Sequence, residues 1–295
     1  MLNLLDNNFL FFDGAMGTML QKSGLKTGEL PEEFNINNPD VLYKIHKEYV
    51  DVGSDIISAN TFGANRLKLK NSSHTVEEII SAGVRIARKS IEGLSGKYVA
   101  LDVGPIGTLL SPLGTLSFDE AYDIFKEQIL AGVKAGADII LFETMTDIYE
   151  LKAAILAATE NTELTIFCPM SFQENGRTFT GTDVATFVSV VEALGVDVLG
   201  VNCSLGPNQL QPIVDQLIKY SSIPIMVQAN AGLPKYHNGT SYYDIDPYEY
   251  SHEINSMAKK GVAILGGCCG TTPEYIKGII NSLDGLKPIA ISKKQ

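Results

Sequence analysis

Short apolar runs rich in β-branched residues recur along the whole chain, and more polar segments with a different periodicity separate them. The runs are FLFF (9–12), DIISANT (55–61), YVALDVG (98–104), ADIILFET (137–144), LTIFCPMSF (164–172), VDVLGVNC (196–203), IPIMVQANA (223–231) and GVAILGGCC (261–269). Several runs lack alternation between apolar and polar residues, which is typical of parallel strands that are buried on both faces. The pattern therefore predicts eight buried parallel strands.

The segments between the runs carry the signals of α-helices. Apolar residues recur at helical spacing in 38–53, 117–137, 182–195 and 272–285. Ser117 opens the second of these segments and Glu120 follows three residues later, which is the pattern of a capping box. Three of the segments end in a glycine-containing turn just before the next run, where glycine is the expected helix stop.

An alternation of strand and helix, repeated about eight times in fewer than 300 residues, predicts a (β/α)₈ TIM barrel of the α/β class. The alternative is an open, doubly wound sheet. That alternative is disfavoured because no G-x-G-x-x-G motif follows the first run. Since no Pro- or Ser-rich linker interrupts the chain, we expect one domain over residues 1–295, with a short tail after about residue 286.

Composition limits the classes of partner. The chain has 34 acidic and 23 basic residues and a formal net charge of -11, so we expect no nucleic-acid partner. No apolar stretch reaches the roughly 20 residues of a membrane helix, and the first residues show no secretory signal. These features predict a cytoplasmic protein without a membrane partner. Its four cysteines are then reduced thiols that act as core residues, metal ligands or nucleophiles.

Three of the four cysteines stand at the predicted ends of strands, where the active site of such a barrel forms. Cys203 ends the sixth run, and Cys268 and Cys269 end the eighth, so that only the seventh strand separates them. Adjacent residues of a strand point to opposite faces, and the backbone must turn if both thiols are to reach one point. Glycines on either side of the pair, at 266, 267 and 270, permit such a turn.

Converging thiolates favour a zinc ion in a sulfur-rich site. Three cysteines without a fourth protein ligand leave one position free, which is typical of catalytic zinc. Two other interpretations stay open, because a cysteine at a strand end is often a small buried hydrophobe and adjacent cysteines can form a strained disulfide. The fourth cysteine, Cys168, lies within the fifth run and is interpreted as a packing residue.

The other strand ends suit a small amino acid. Asp102 ends the third run and is assigned no role, whereas Asp13 and Glu143 are the carboxylates at the ends of the first and fourth runs. Carboxylates bind an ammonium group, while the glycine-rich turn GAMGT (14–18) offers backbone N–H groups to a carboxylate. Taken singly, Asp13 is equally typical of an ordinary turn, and Glu143 of a salt bridge within the barrel.

The motifs DGAMGT (13–18), GVNC (200–203) and GGCCGT (266–271) resemble the homocysteine-binding domain of the homocysteine S-methyltransferase family, in the same order and over essentially the whole chain. Within that family, the chain is most similar to the N-terminal module of cobalamin-dependent methionine synthase. Gly63 stands where betaine-dependent relatives carry tyrosine, which disfavours betaine as the methyl donor.

The resemblance implies an enzyme that binds L-homocysteine, activates it as a thiolate on Zn²⁺ and methylates it to methionine. It implies that Cys203, Cys268 and Cys269 are the zinc ligands and that Asn230 completes the zinc sphere when substrate is absent. Further roles are implied for other residues: Asp13 and Glu143 for the homocysteine amino group, Gly14, Ala15, Met16 and Gly17 for its carboxylate, and Asn202 for orienting the site.

The methyl donor is the least determined part of the prediction. Methionine synthases bind methylcobalamin and methyltetrahydrofolate on further domains, so the resemblance implies a cobalamin-carrying module in cis or in trans. One alternative is a stand-alone barrel that uses S-methylmethionine or S-adenosylmethionine. Alternatives of another class are a non-catalytic barrel that senses zinc or thiols, and a redox protein whose reactive pair is Cys268 and Cys269.

Overall fold

Eight parallel strands form a nearly closed barrel in the computed structural model, which describes residues 5, 8–26, 28–237 and 240–289. The strands are β1 (Leu10–Phe11), β2 (Ile56–Ser58), β3 (Tyr98–Val103), β4 (Ile139–Phe142), β5 (Thr165–Met170), β6 (Val198–Asn202) and β7 (Ile225–Ala229), then the hairpin strands β8 (Lys235–His237) and β9 (Thr240–Tyr242), then β10 (Ile264–Gly267). The hairpin lies outside the barrel, whose order is β1-β10-β7-β6-β5-β4-β3-β2. A bridge between Phe12 and Ile56 joins β1 to β2. The predicted TIM barrel is therefore confirmed.

Helices follow the strands around the outside of the barrel. They are α1 (Met16–Lys22), α2 (Phe34–Asn37), α3 (Pro39–Val52), α4 (Val76–Ser90), α5 (Phe118–Ala135), α6 (Ile148–Thr159), α7 (Val184–Ala193), α8 (Pro207–Tyr220), α9 (Pro247–Lys260) and α10 (Pro273–Ser282). The predicted capping box is present, because the Glu120 N–H donates to Ser117 Oγ and the Ser117 N–H donates to Glu120 Oε2. Gly53 and Gly136 end α3 and α5 with φ of 115° and 94°, as expected for helix stops.

The helices pack through apolar stripes against the outer face of the strands. On α3 the buried stripe consists of Leu42, Ile45 and Tyr49, as the periodicity of segment 38–53 predicts. Burial of each such side chain contributes roughly 1.5–3 kcal/mol to stability. The position of each helix is thereby fixed relative to the strand that it follows.

The barrel interior is apolar at one end and polar at the other. The rings of Phe12 and Phe167, from β-segments on opposite sides of the barrel, lie 5.8 Å apart. Ala100 and Met226 belong to the apolar interior, and Asp102 and Gln228 follow them two residues later along their strands. Because side chains alternate across a strand, both polar residues share the interior face. The polar layer therefore lies at the C-terminal ends of the strands.

The described part of the chain ends in an irregular segment after α10. Residues 286–289 form neither helix nor strand, and residues 290–295 of the predicted tail lie outside the described residues. In the ranges that the structure describes, no helix is both long and apolar enough to span a membrane.

Candidate metal and substrate site

The three strand-end cysteines lie together at the barrel mouth. Their Sγ atoms are all within 4.8 Å of one another, and the Cys203 and Cys269 sulfurs are 3.9 Å apart. Each is a free thiol that is partly buried, whereas Cys168 is fully buried within β5. The sequence predicted that a single strand, the seventh, separates Cys203 from Cys268 and Cys269. In the barrel that strand is β7, and the three sulfurs lie close together across its end.

A left-handed backbone follows directly on β6. Cys203 and Ser204 have φ of 58° and 59°, a conformation that costs roughly 1–2 kcal/mol in a residue with a side chain. The strain is held because the Cys203 N–H donates to the Gln228 carbonyl and its own carbonyl accepts from the Leu205 N–H, at 3.0 and 2.7 Å. Strained backbone of this kind is often found at functional sites.

The glycines around the cysteine pair have two different roles. Gly270 alone has a positive φ, of 84°, and a Cβ there would lie 2.4 Å from the ring of Tyr243. Gly266 and Gly267 continue strand β10, and they lack side chains because a Cβ would meet Phe12 or Thr271 within 2.7 Å. The prediction that the flanking glycines turn the backbone therefore holds for Gly270 and is wrong for Gly266 and Gly267, where close packing is the reason.

Hydrogen bonds among the three thiols shift their pKa values in opposite directions. Hydrogen bonds from Cys203 and Cys268, with a smaller contribution from the Tyr243 hydroxyl, lower the pKa of Cys269 to about 3. Hydrogen bonds with Cys203 and Cys269 raise the pKa of Cys268 well above its usual range. One thiolate is thus favoured within the cluster, and a cation would stabilise further thiolates. This donor set fits zinc.

Asn230 adds an observation that fits a metal. The residue is 2% exposed, and its Oδ1 has no hydrogen-bond partner within the described ranges. Backbone bonds on either side of it tie this stretch to the cysteine pair, since the Cys268 N–H donates to the Ala229 carbonyl and the Ala231 N–H donates to the Cys269 carbonyl. A buried carbonyl without a partner is costly, and the backbone bonds hold Asn230 next to the strand end that carries the cysteine pair.

A cavity of about 400 Å³ adjoins the thiols. The predicted site residues that line it are Asp13, Gly14, Ala15, Met16, Gly17, Glu143, Cys203, Cys268 and Cys269. Asn202 and Asn230 are buried and do not belong to the lining of this cavity. Thr18, from the predicted turn, also lines the cavity. The lining further includes side chains to which the sequence analysis assigned no role: Glu32, Ser58, Asn60, Phe62, Asp102, Thr144 and Gln228.

Carboxyl groups dominate the polar part of the cavity. Asp13 accepts hydrogen bonds from the Ser58 N–H and Oγ, both at 2.9 Å, yet burial raises its pKa to about 7. Burial, followed by the charges of Asp13 and Cys269, raises the pKa of Glu143 to about 8. These groups retain protons near neutral pH unless a positive charge enters, which makes the cavity complementary to an ammonium group.

Asn202 links the carboxyl and thiol parts of the site. Its Nδ2 donates to Glu143 Oε2 at 3.3 Å and to Thr144 Oγ1 at 2.9 Å, and its Oδ1 accepts from the Thr144 N–H at 2.9 Å. Thr144 has a left-handed φ of 58°, which these bonds stabilise. Since Cys203 follows Asn202 directly, one side chain fixes Glu143 relative to a cysteine.

The turn before α1 presents backbone N–H groups to the cavity. Met16 and Gly17 begin α1, and N–H groups of a first helical turn have no partner inside the helix. The Ala15 N–H is already used, because it donates to Thr271 Oγ1 at 3.2 Å. The Met16 and Gly17 N–H groups are therefore available to an anionic group, whereas that of Ala15 is not.

Two residues that the sequence analysis missed support the thiols. Thr271 Oγ1 donates to the Cys268 carbonyl at 2.7 Å, and so joins the cysteine pair to the turn at Ala15. Tyr243 follows the β8–β9 hairpin, and its hydroxyl hydrogen-bonds Cys269. No sequence pattern places Tyr243 there, whereas Asp102 was visible in the sequence as the end of the third run but was assigned no role.

Comparison with known proteins gives concordant results. Residues 10–283 match the sequence model of the family described as homocysteine S-methyltransferase. Methionine synthase of Mycobacterium tuberculosis is 32% identical in an alignment 305 residues long, which includes 97% of this chain and 26% of the relative. Methionine synthase of Mycobacterium leprae is also 32% identical, over 95% of this chain and 24% of the relative. The chain thus spans about a quarter of the length of these curated relatives.

A solved structure shares the fold. The metallated form of the homocysteine methyltransferase MmuM from Escherichia coli matches with a TM-score of 0.81, over 94% of this chain and 97% of that one. The two sequences are 21% identical, so this likeness supports the barrel fold alone.

Proposed function

The chain belongs to the homocysteine S-methyltransferase family, and on this premise we propose that it transfers a methyl group to the sulfur of homocysteine, giving methionine. The observation that carries the proposal is the convergence of Cys203, Cys268 and Cys269 beside a cavity lined with carboxyl groups and backbone N–H groups. One side of this cavity suits a thiol, and the other suits the charged groups of an amino acid.

Cys203, Cys268 and Cys269 would hold a zinc ion, with the Asn230 amide oxygen available when substrate is absent. Free thiols have pKa values of about 8.5, so only a few per cent are ionised at pH 7. A zinc ion bound there supplies the positive charge that keeps a substrate thiol deprotonated at neutral pH. No general base is then required beside the sulfur.

The chain's own residues would orient the amino acid. Asp13 and Glu143 accept hydrogen bonds from its ammonium group, and the Met16 and Gly17 N–H groups donate to its carboxylate. Ser58 fixes the Asp13 carboxylate, as Asn202 fixes that of Glu143. The sulfur then attacks the methyl carbon of the donor, a carbon–sulfur bond forms, and the electron pair of the broken bond leaves with the donor.

For the methyl donor, we propose methylcobalamin on a further module in cis or in trans, itself remethylated from methyltetrahydrofolate. The proposal is supported by the likeness to methionine synthases, of which this chain spans about a quarter. A second candidate is a sulfonium donor, S-methylmethionine or S-adenosylmethionine. It is favoured by the surplus of carboxyl groups in the cavity, where Glu32 and Asp102 join Asp13 and Glu143.

Metal analysis of cysteine variants tests the thiol part of the proposal. We expect about one zinc per chain in the wild type, and loss of zinc in Cys203→Ala, Cys268→Ala and Cys269→Ala because each lacks a ligand. Cys168→Ala is the matched control, since this buried cysteine lies in β5 and should leave zinc binding unchanged. Full zinc stoichiometry in all three variants would contradict the assignment.

Donor assays test the reaction. The zinc-loaded chain is supplied with homocysteine and with methylcobalamin, S-methylmethionine, S-adenosylmethionine or betaine in turn, and methionine is measured. A sensing barrel would bind zinc and form no methionine with any donor. A thiol–disulfide redox protein would instead purify without metal and with a reversibly oxidised pair.

A further inference from the structure

The amino group of a bound amino acid requires acceptors, and each oxygen of Asp13 already accepts one hydrogen bond. One Asp13 oxygen accepts from the Ser58 N–H and the other from Ser58 Oγ. Glu143 Oε2 accepts from Asn202 at 3.3 Å. An ammonium group has three N–H donors, so a further acceptor beside these two carboxyls would give each N–H an acceptor group of its own.

Asp102 offers an acceptor that nothing else uses. The residue lines the cavity from the end of β3 and is 9% exposed, and its Oδ1 has no hydrogen-bond partner in the part of the chain that the structure describes. Its backbone is fixed, since its carbonyl accepts from Thr61 Oγ1 at 2.8 Å. The side chain follows the interior residue Ala100 at two-residue spacing and therefore points into the barrel.

The charges around Asp102 are unfavourable for a carboxylate without a ligand. Glu143, Asp13 and Glu32 all repel its negative charge. Lys68, whose charge stabilises the carboxylate, directs its Nζ to the Pro105 carbonyl at 2.7 Å and lies over the Phe62 ring at 5.3 Å. Asp102 thus lies among acidic neighbours with no cation in direct contact within the described residues.

A second buried acceptor in the cavity also lacks a hydrogen-bond partner within the described residues. Gln228 lines the cavity from β7, is 3% exposed, and has an Oε1 without a partner in the described ranges. Buried acceptors without partners are costly, and two in one cavity indicate a ligand that brings N–H donors.

We propose that Asp102 accepts a hydrogen bond from the ammonium group of the bound amino acid, between Glu143 and Asp13, and so makes the cavity select an α-amino thiol over the same thiol without its amino group. This inference rests on the proposed function, because it takes homocysteine as the ligand. It assigns a carboxyl oxygen without a partner in the described residues to the group of the substrate that carries the positive charge.

Calorimetric binding to the zinc-loaded full chain tests the proposal. The two probes are L-homocysteine and 4-mercaptobutyrate, which has the same thiol and carboxylate but no amino group. Loss of a charge-assisted hydrogen bond should weaken homocysteine binding by roughly 10- to 100-fold in Asp102→Asn. Binding of 4-mercaptobutyrate should change by less than about threefold, because it lacks the group that Asp102 contacts.

Asp102→Leu, which removes both oxygens at similar volume, should lose at least as much affinity for homocysteine. Thermal unfolding establishes which of the two variants is folded, and the folded one decides. Asp284→Asn is the matched control, because Asp284 is exposed beyond α10 and should leave both affinities unchanged.

The outcomes separate cleanly. If Asp102 variants keep the wild-type ratio of the two affinities, whether both stay constant or both fall together, the proposal is overturned and Asp102 has a structural role. If the wild type itself fails to bind homocysteine, the proposed function fails instead.

Discussion

At the scale of single residues, burial determines the chemistry of the cavity more strongly than hydrogen bonding does. Asp13 keeps a pKa of about 7 although both of its oxygens accept hydrogen bonds from Ser58, because desolvation outweighs these bonds. Glu143 has a pKa of about 8 for the same reason, with added repulsion from Asp13 and Cys269. The carboxyls are therefore held ready to lose protons when a cation arrives.

Substrate binding should release protons from these carboxyls. An ammonium group lowers the pKa of Glu143 and Asp13 below neutrality, so at pH 7 homocysteine should release up to about one proton more than 4-mercaptobutyrate, whose thiol loses its proton equally. Calorimetry in two buffers of different ionisation enthalpy measures the difference. In Glu143→Gln the difference should shrink, and an unchanged difference would contradict the assignment of Glu143.

At the scale of elements, one hydroxyl group joins the last strand to the first turn. Thr271, between β10 and α10, bonds the Cys268 carbonyl and the Ala15 N–H. It fits only because Gly267 and Gly14 leave room, since a Cβ at either would lie within 2.7 Å of Thr271 Oγ1. The thiol part of the site and the backbone donors are thus coupled through close packing.

Gly267→Ala should destabilise this junction. The added methyl group would displace Thr271 from its bonds, and overpacking of this kind costs roughly 1–3 kcal/mol of unfolding free energy. Urea unfolding measures the change. Gly17→Ala is the matched substitution, because nothing lies within 4 Å of a Cβ there and alanine favours a helix, so the variant should be at least as stable as the wild type. Equal stability of the two variants would show that the junction is not tightly packed.

At the scale of the whole molecule, ionisation of buried acids lowers the stability of the fold, and the protein already has a formal net charge of -11. Besides Asp13 and Glu143, Glu150 is 4% exposed and accepts from the Ile106 N–H at 2.7 Å, and burial raises its pKa to about 7. Because the pKa in the folded state exceeds that of the unfolded chain, the folded protein binds more protons at intermediate pH. The contribution of Glu150 to stability is therefore greatest in acid and decreases as pH rises through about 4.5 to 7.

Glu150→Gln should remove this pH dependence. Relative to the wild type, the variant should gain about 2–3 kcal/mol of unfolding free energy between pH 4.5 and pH 7.5, and its amide oxygen can still accept from Ile106. Denaturant unfolding at several pH values measures the gain. Glu92→Gln, at an exposed position, should run parallel to the wild type, and the same behaviour in Glu150→Gln would contradict the raised pKa.

The sequence alone determined the barrel and the cysteine cluster. Each of the eight apolar runs became a strand of the barrel, because burial on both faces leaves a continuous apolar pattern that local composition records. The positions of Cys203, Cys268 and Cys269 at strand ends predicted that all three lie at the same end of the barrel, and the structure brings their sulfurs within 4.8 Å of one another. The glycine-rich and acidic ends of the first and fourth runs likewise reached the cavity as expected.

Only the tertiary structure decided which groups at the mouth have partners. Whether Asp13 is already bonded to Ser58 while Asp102 is not depends on side-chain directions across the barrel, which no local pattern records. Tyr243 reaches Cys269 from a hairpin outside the barrel, and Gly266 and Gly267 are glycines because of neighbours distant in sequence. Periodicity reports which face of a strand is buried, whereas contacts between strands far apart in the chain exist only after the barrel closes.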